Sequence, residues 1–378
     1  MLGRAGQAFH CSFMNRISLS ILYIFGLLIT VSVWVPAWLV TGGYMKAFYT
    51  LNGYPAQMHH EMAAGIFFLP VLSFLLFRNL EKTRVFGIQL DAYRVLAGSA
   101  GITLLLMILS IVQQRIFFHV LLLFFFSILW ILHGQIEKSD SQGKKSEDFL
   151  NFSLLMGSAG SLLFLVFDLT NQSNAYLTGK IFIYYGSMNL AFIYFFARLS
   201  GGLVQFRSHQ WSLILYIISL FYEFISLIFI KERPPIIIGA GIRAAISLYW
   251  IFSFVKIQNI RKIKAWNILL WLSAFYYGIG MTGSAIFSED GVHFAHFFFA
   301  GSLTFVLLSS LITKEISESK SGMSLVWTVL FLAMLAGATR GAANLIPSSY
   351  QSHLLYSSIS MTTAAILYIL YFLKKKFS

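Results

Sequence analysis

Residues 59–77 read HHEMAAGIFFLPVLSFLLF, and this stretch sets the class of the chain. His59, His60, Glu61 and Met62 stand at the head of an almost unbroken apolar run, Ala63 to Phe77. Groups that bind a metal or a proton are costly at the edge of such a run, so they invite a functional reading. The plain alternative is that His59 and His60 anchor a helix end among lipid headgroups.

The same texture continues in both directions. Of 378 residues, 58% are hydrophobic and 11% charged, against roughly 25% charged in a soluble domain. Apolar runs of about 20 residues suffice to cross a bilayer as helices. Here they are continuous and rich in Leu, Ile and Phe, without the period-two alternation of barrel strands. The expected fold is an all-α membrane protein of about twelve transmembrane helices, near 17–41, 60–78, 93–112, 116–135, 149–168, 179–199, 211–230, 235–256, 266–287, 292–313, 324–346 and 352–373. Residues 1–16 form a short N-terminal segment, 17–373 one polytopic domain and 374–378 a basic tail. The apolar segment Ile17–Val40 is too long for a signal-peptide core and reads as a retained helix. Residues 1–13 read as a start-site extension, since Met14-Asn15-Arg16 also looks like a start. The single cysteine, Cys11, excludes an internal disulfide and a C-x-x-C-H haem attachment.

Charge gives an orientation. Of the 27 Lys and Arg, twenty fall on the side that holds both termini, five on the other, and Arg243 and Arg340 lie within spans. The positive-inside rule puts the termini in the cytoplasm of a bacterial inner-membrane protein. The net charge of +13 is then topology and contact with lipid headgroups, with no nucleic-acid surface implied.

That orientation sorts the histidines. His59, His60, His119, His293, His296 and His353 all fall at the outer ends of their spans, and Arg243 and Arg340 lie about two turns in from the same face. Interfacial enrichment with snorkelling arginines accounts for such a layer; so does a site. Neutral imidazole suits haem iron, copper and zinc. Met58 and Met62 add thioethers that suit Cu(I). His293 and His296 share a helix face. Gly65 and Gly301 each follow a histidine by five residues, His60 and His296, where a small residue lets a macrocycle approach or lets helices pack. Arg243 and Arg340 suit haem propionates, or backbone carbonyls. Glu223, in the middle of span 7, is a lone carboxyl expected to be protonated or bonded to a tyrosine or arginine. A Ser-His-Asp arrangement, a phosphate-binding glycine loop and H-E-x-x-H are all missing from the sequence, so no catalytic group is named.

Several short motifs in order resemble the NnrS family of polytopic membrane proteins. His60-Glu61-Met62-x-x-Gly65 resembles the opening of that family's second helix, and His296-x4-Gly301 its later H-x4-G segment, with Thr313-Lys314 where the family has T-R. Ser200-Gly201-Gly202, Leu269-Leu270-Trp271 and Leu335 to Arg340 resemble family segments in the same order, over nearly the whole chain. The resemblance implies twelve helices, haem and copper, and a role linked to nitric oxide and denitrification. It points to His60 and His296 as ligands, with His59, His293 and Met58 as further metal candidates and Glu61 orienting a histidine. The chain departs from the family pattern at Met58, where a histidine is usual, at Leu203 to Phe206 in place of R-V-I-P, at Ala274 in place of a histidine, and at Arg78 to Glu81 in place of P-N-W-T. Those departures bear on whether both metal centres are kept. The competing expectations are a non-redox transporter or channel with a histidine- and arginine-lined outer vestibule, and a scaffold without a metal centre.

Overall fold

The computed structural model describes residues 61, 63–77, 83–85, 88–112, 114–137, 148–200, 210–230, 233–254, 265–287, 291–307, 309–310, 323–342 and short pieces between 346 and 367. Met58, His59, His60 and Leu203 lie outside the described residues, as do the first span and most of the last.

The described chain is helical but for one hairpin. The π-helical segment Ala63–Phe68 leads into α1 (Leu69–Phe77). The hairpin follows, β1 (Thr83–Val85) antiparallel to β2 (Ile88–Leu90), with Arg84 opposite Gln89. Then come α2 (Ala92–Ile111), α3 (Arg115–Glu137) and α4 (Asp148–Thr170). Next, α5 (Ser173–Ile181) passes through the π-helical Phe182–Met188 into α6 (Asn189–Leu199). After α7 (Gln210–Ile225) comes the π-helical Ser226–Ile230, then α8 (Arg233–Phe254) and α9 (Ala265–Ile286). Finally α10 (Gly291–His296) continues as the π-helical Phe297–Leu303, and α11 (Met323–Ala342) follows.

Four of these helices are long and apolar enough to cross a membrane: Arg115–Gln135, Asp148–Thr170, Ile236–Ser253 and Ile268–Ile286. Five shorter apolar helices lie between and beside them. The outer faces of α2 and α3 carry exposed Leu105, Ile108, Phe117 and Phe124. A continuous apolar face of this kind suits lipid and not water.

The all-α class holds, and the one hairpin among the described residues lies in the link between the second and third expected spans. Ile88-Gln89-Leu90 alternates between apolar and polar residues, and the two residues between the strands include Gly87, a residue that two-residue hairpin connections favour. Asp91 then caps α2, its side chain accepting the Arg94 backbone N–H at 2.9 Å. At the far end of α4, Asn171 takes a φ of 55°, the left-handed turn that ends a helix and that asparagine tolerates. The chain therefore re-enters a helix at Ser173, earlier than the apolar pattern from residue 179 suggested.

Successive helices pack as neighbours, α3 on α4, α4 on α5 and the π-helical turn after it, α7 on α8, α8 on α9, and α10 against both α9 and α11. Aromatic rings fill the centre: Phe192 stacks on Tyr277 at 4.6 Å and meets Phe298 edge-on at 5.4 Å, so α6, α9 and the segment after α10 converge there.

Candidate functional site: two buried charge clusters

The first cluster gathers at the shared end of four helical segments. Arg115 and His119 sit one turn apart at the start of α3, so their side chains leave the same face. Asp168 lies in the last turn of α4. Glu61, fully buried, precedes the π-helical turn that leads to α1. His119 is the hub: its Nε2 is 3.0 Å from Glu61 Oε2, and its Nδ1 is hydrogen-bonded to Asp168 Oδ2. Arg115 closes the ring, with Nη2 3.4 Å from Glu61 Oε1 and Nε 3.0 Å from Asp168 Oδ1. The His119 ring packs between Phe118 and Phe164, with centroids at 5.8 and 5.1 Å. The Arg115 guanidinium lies over Phe167 and Tyr176, and the Lys180 ammonium of α5 also lies over the Tyr176 ring, 4.4 Å from its centre.

The placement runs against helix electrostatics. A helix start favours anions and a helix end favours cations. Here a cation opens α3 and an anion closes α4, and each is tolerated through the other. Positions that break a local rule in concert are characteristic of functional sites.

The second cluster lies between α7 and α8. Arg243 Nε donates to Glu223 Oε1 at 2.9 Å and Nη2 to Oε2 at 3.3 Å, a paired grip on a carboxylate. Both side chains are buried, and the Tyr185 ring caps the guanidinium at 3.6 Å. Gly239, one turn before Arg243, makes the space: a Cβ there would stand 2.6 Å from Glu223 Cγ. A polar column continues from Tyr185. Tyr216 donates to its carbonyl, Asn189 donates to the Tyr216 hydroxyl and to Ser247, and Tyr277 donates to Asn189 Oδ1 at 2.7 Å.

The residues singled out by sequence are thus distributed unevenly. Glu61 does face a histidine, and among the described residues that histidine is His119. Arg243 is engaged by Glu223 and stacked under Tyr185. Glu223 has the arginine partner that a lone buried carboxyl requires. His296 is buried at the end of α10, where the helix turns π-helical, and His293 lies one turn earlier on α10. Arg340 sits, half-buried, in the last turn of α11. The room beside the two glycines is filled by the protein itself. A Cβ on Gly65 would meet Leu122 at 3.0 Å and Leu106 at 3.2 Å, and one on Gly301 would meet Tyr276 at 2.9 Å. Asp168 and Arg115 were not among the sequence candidates. The available signal was an arginine and a histidine four apart at one helix start, with a lone aspartate closing the next helix.

Among the described residues, no three His, Cys, Asp or Glu side chains converge as a metal-holding group. In the first cluster the imidazole stands between the two carboxylates, one nitrogen to each, so the donors do not point at a common centre. An apolar groove of about 510 Å³ runs between α8, α9 and α10, walled by Phe252, Trp271, Ala274, Phe275 and Phe294. It includes Ala274, where the NnrS pattern has a histidine, and its walls carry no metal-ligating side chain. No protein-family model, no curated protein and no solved structure matches the chain.

Proposed function

We propose that the chain is a twelve-span protein of the bacterial inner membrane that binds a metal through histidine, as haem or copper, and acts in a nitric oxide, nitrosative-stress or denitrification-linked response. One observation carries the metal reading. The two histidine-to-glycine segments that resemble the NnrS family, at His60 and His296, share a local structure: Gly65 lies in the π-helical Ala63–Phe68 and Gly301 in the π-helical Phe297–Leu303. Single π-helical turns inside helices are rare and concentrate at functional sites. The buried His296 at the head of one of them is a fitting imidazole donor. A macrocycle laid flat on Gly65 or Gly301 does not fit this packing, because Leu122 and Tyr276 occupy those faces. The residues therefore support a histidine-bound metal better than they support haem held against the glycines.

Absorption and metal analysis of protein purified from cells grown with ample haem and copper test the reading. Bound haem gives a Soret band. His60→Ala and His296→Ala are expected to remove the same signal if both ligate one metal, while Met62→Ala leaves haem in place. A wild-type protein that carries neither metal sinks the proposal. Transport activity by a colourless protein supports the second reading, a non-redox transporter or channel, which the buried Glu61–His119–Asp168–Arg115 cluster favours.

The proposed topology places both termini in the cytoplasm and the first charge cluster at the outer face. In support, the starts of α3 and α5, the end of α4 and Glu61 all meet at one end, as alternating spans require. A cysteine placed at Ser288 is expected to react with an impermeant thiol reagent on spheroplasts and one at Ser139 to stay unlabelled; the reverse pattern overturns the orientation.

A further inference from the structure

We infer that His119 and Asp168 form a proton-binding site, gated by Arg115, that exchanges one proton with the aqueous side at this end of the bundle. The inference stands apart from the metal reading, since neither residue is among the proposed metal donors.

Hydrogen-bond counting comes first. Each ring nitrogen of His119 faces a carboxylate oxygen, Nε2 toward Glu61 and Nδ1 toward Asp168. A neutral imidazole has one N–H, so it leaves one of these contacts as lone pair against lone pair. Both contacts become hydrogen bonds when the ring carries two protons, or when Asp168 holds the second one across its bond to Nδ1. The site is therefore complete with one proton beyond the neutral imidazole. Within the ring of direct contacts, two carboxylates face one guanidinium, and the extra proton on the imidazole balances them; Lys180 lies outside that ring, over Tyr176. That matters because His119 and Glu61 are wholly buried and an uncompensated charge there is costly.

Access comes next. The Asp168 side chain is 4% exposed, whereas that of Arg115 is 25% exposed. Arg115 is thus the group between the buried cluster and water. Its guanidinium holds both carboxylates, and its withdrawal opens Asp168 Oδ1 to solvent. Among the described residues, the charged and titratable groups that face the site are Glu61, Arg115 of α3 and, from α5, Tyr176 and Lys180. Lys180 stands behind the Tyr176 ring and adds a positive charge that opposes protonation, which allows the proton to leave.

Histidine ring ¹⁵N spectra of the full-length protein in nanodiscs, followed from mildly acidic to alkaline solution, test this. One signal, missing in His119→Gln, is expected to show two ring N–H groups or a proton shared with a carboxyl near neutrality, and to lose that proton on alkalinisation. Asp168→Asn is expected to leave a single ring N–H at neutrality, and Asp168→Glu to restore the second. Arg115→Gln is expected to speed exchange of the proton with water. If His119→Gln does not fold, the Asp168→Asn difference identifies the signal. A signal that keeps one proton throughout, one that never loses the second, or one unchanged by Asp168→Asn overturns the inference.

Discussion

Arg243→Leu is expected to be among the most damaging single substitutions in the described chain, while Arg243→Leu with Glu223→Leu recovers most of the loss. The reason is the asymmetry between deleting one member of a buried ion pair and deleting both. Removing the arginine leaves a buried carboxylate without its cation, at a cost of about 3–5 kcal/mol. Removing both charges and filling the volume with apolar side chains is close to neutral. Arg243 Nε and Nη2 both grip Glu223, and both side chains are nearly inaccessible, so solvent offers little relief. Thermal stability of detergent-solubilised protein, followed by size-exclusion chromatography of a fluorescent fusion, reads the effect. A single variant as stable as wild type contradicts the pairing, and a double variant as unstable as the single shows that Arg243 acts through something other than Glu223.

Gly337→Ala is expected to separate α11 from the segment after α10. A Cβ at Gly337 would stand 2.3 Å from Gly301 Cα and 2.5 Å from its backbone nitrogen. Backbone atoms cannot turn aside as a side-chain tip can, so the two helices must move apart and lose contact along their length. Overpacking of well-filled interiors costs about 1–3 kcal/mol, and a backbone collision belongs at the upper end of that range. Gly101→Ala on α2 is the control. A Cβ there meets nothing within 4 Å, and alanine gains up to about 1 kcal/mol in helix propensity over glycine. The same fusion assay is expected to show a fall for Gly337→Ala and no fall for Gly101→Ala. Equal behaviour of the two contradicts the close crossing.

The two substitutions also mark what the sequence revealed. Apolar length alone located the helices: α3, α4, α8 and α9 begin and end within about two residues of the ranges read from hydropathy. Among the described residues, those are the four helices long and apolar enough to cross a membrane. The spans containing α1, α5 and α6, α7 and α10 are broken by π-helical turns, which leave no trace in a hydropathy profile because the composition does not change across them. His119, one of the histidines in the layer read from sequence, sits in the first cluster, which turns as much on Asp168 and Arg115. Both look like ordinary flanking charges, and only tertiary packing of α3 against α4 shows Arg115 paired with the aspartate that bonds His119. Arg243 was legible as costly, and so was Glu223. That they are twenty residues apart on adjacent antiparallel helices, and hence partners, required the loop between α7 and α8 to be short. The hairpin at Thr83–Leu90 was hidden for a different reason: it lies among charged residues that read as a polar loop.

The first cluster also bears on how the protein is made. Glu61 leaves the ribosome well before Arg115 and His119, and Asp168 comes later still. For a chain threaded into the bilayer in order of synthesis, the helix that Glu61 heads arrives with its carboxylate unaccompanied, a poor lodger in hydrocarbon. Its partners arrive on the fourth and fifth spans of the twelve-span reading. Early helices would then be held at the insertion machinery, or at the headgroup surface, until α4 is complete. On that reading the arginine–histidine–carboxylate ring would act as an assembly checkpoint, with the ring around Glu61 closed only once Asp168 is delivered.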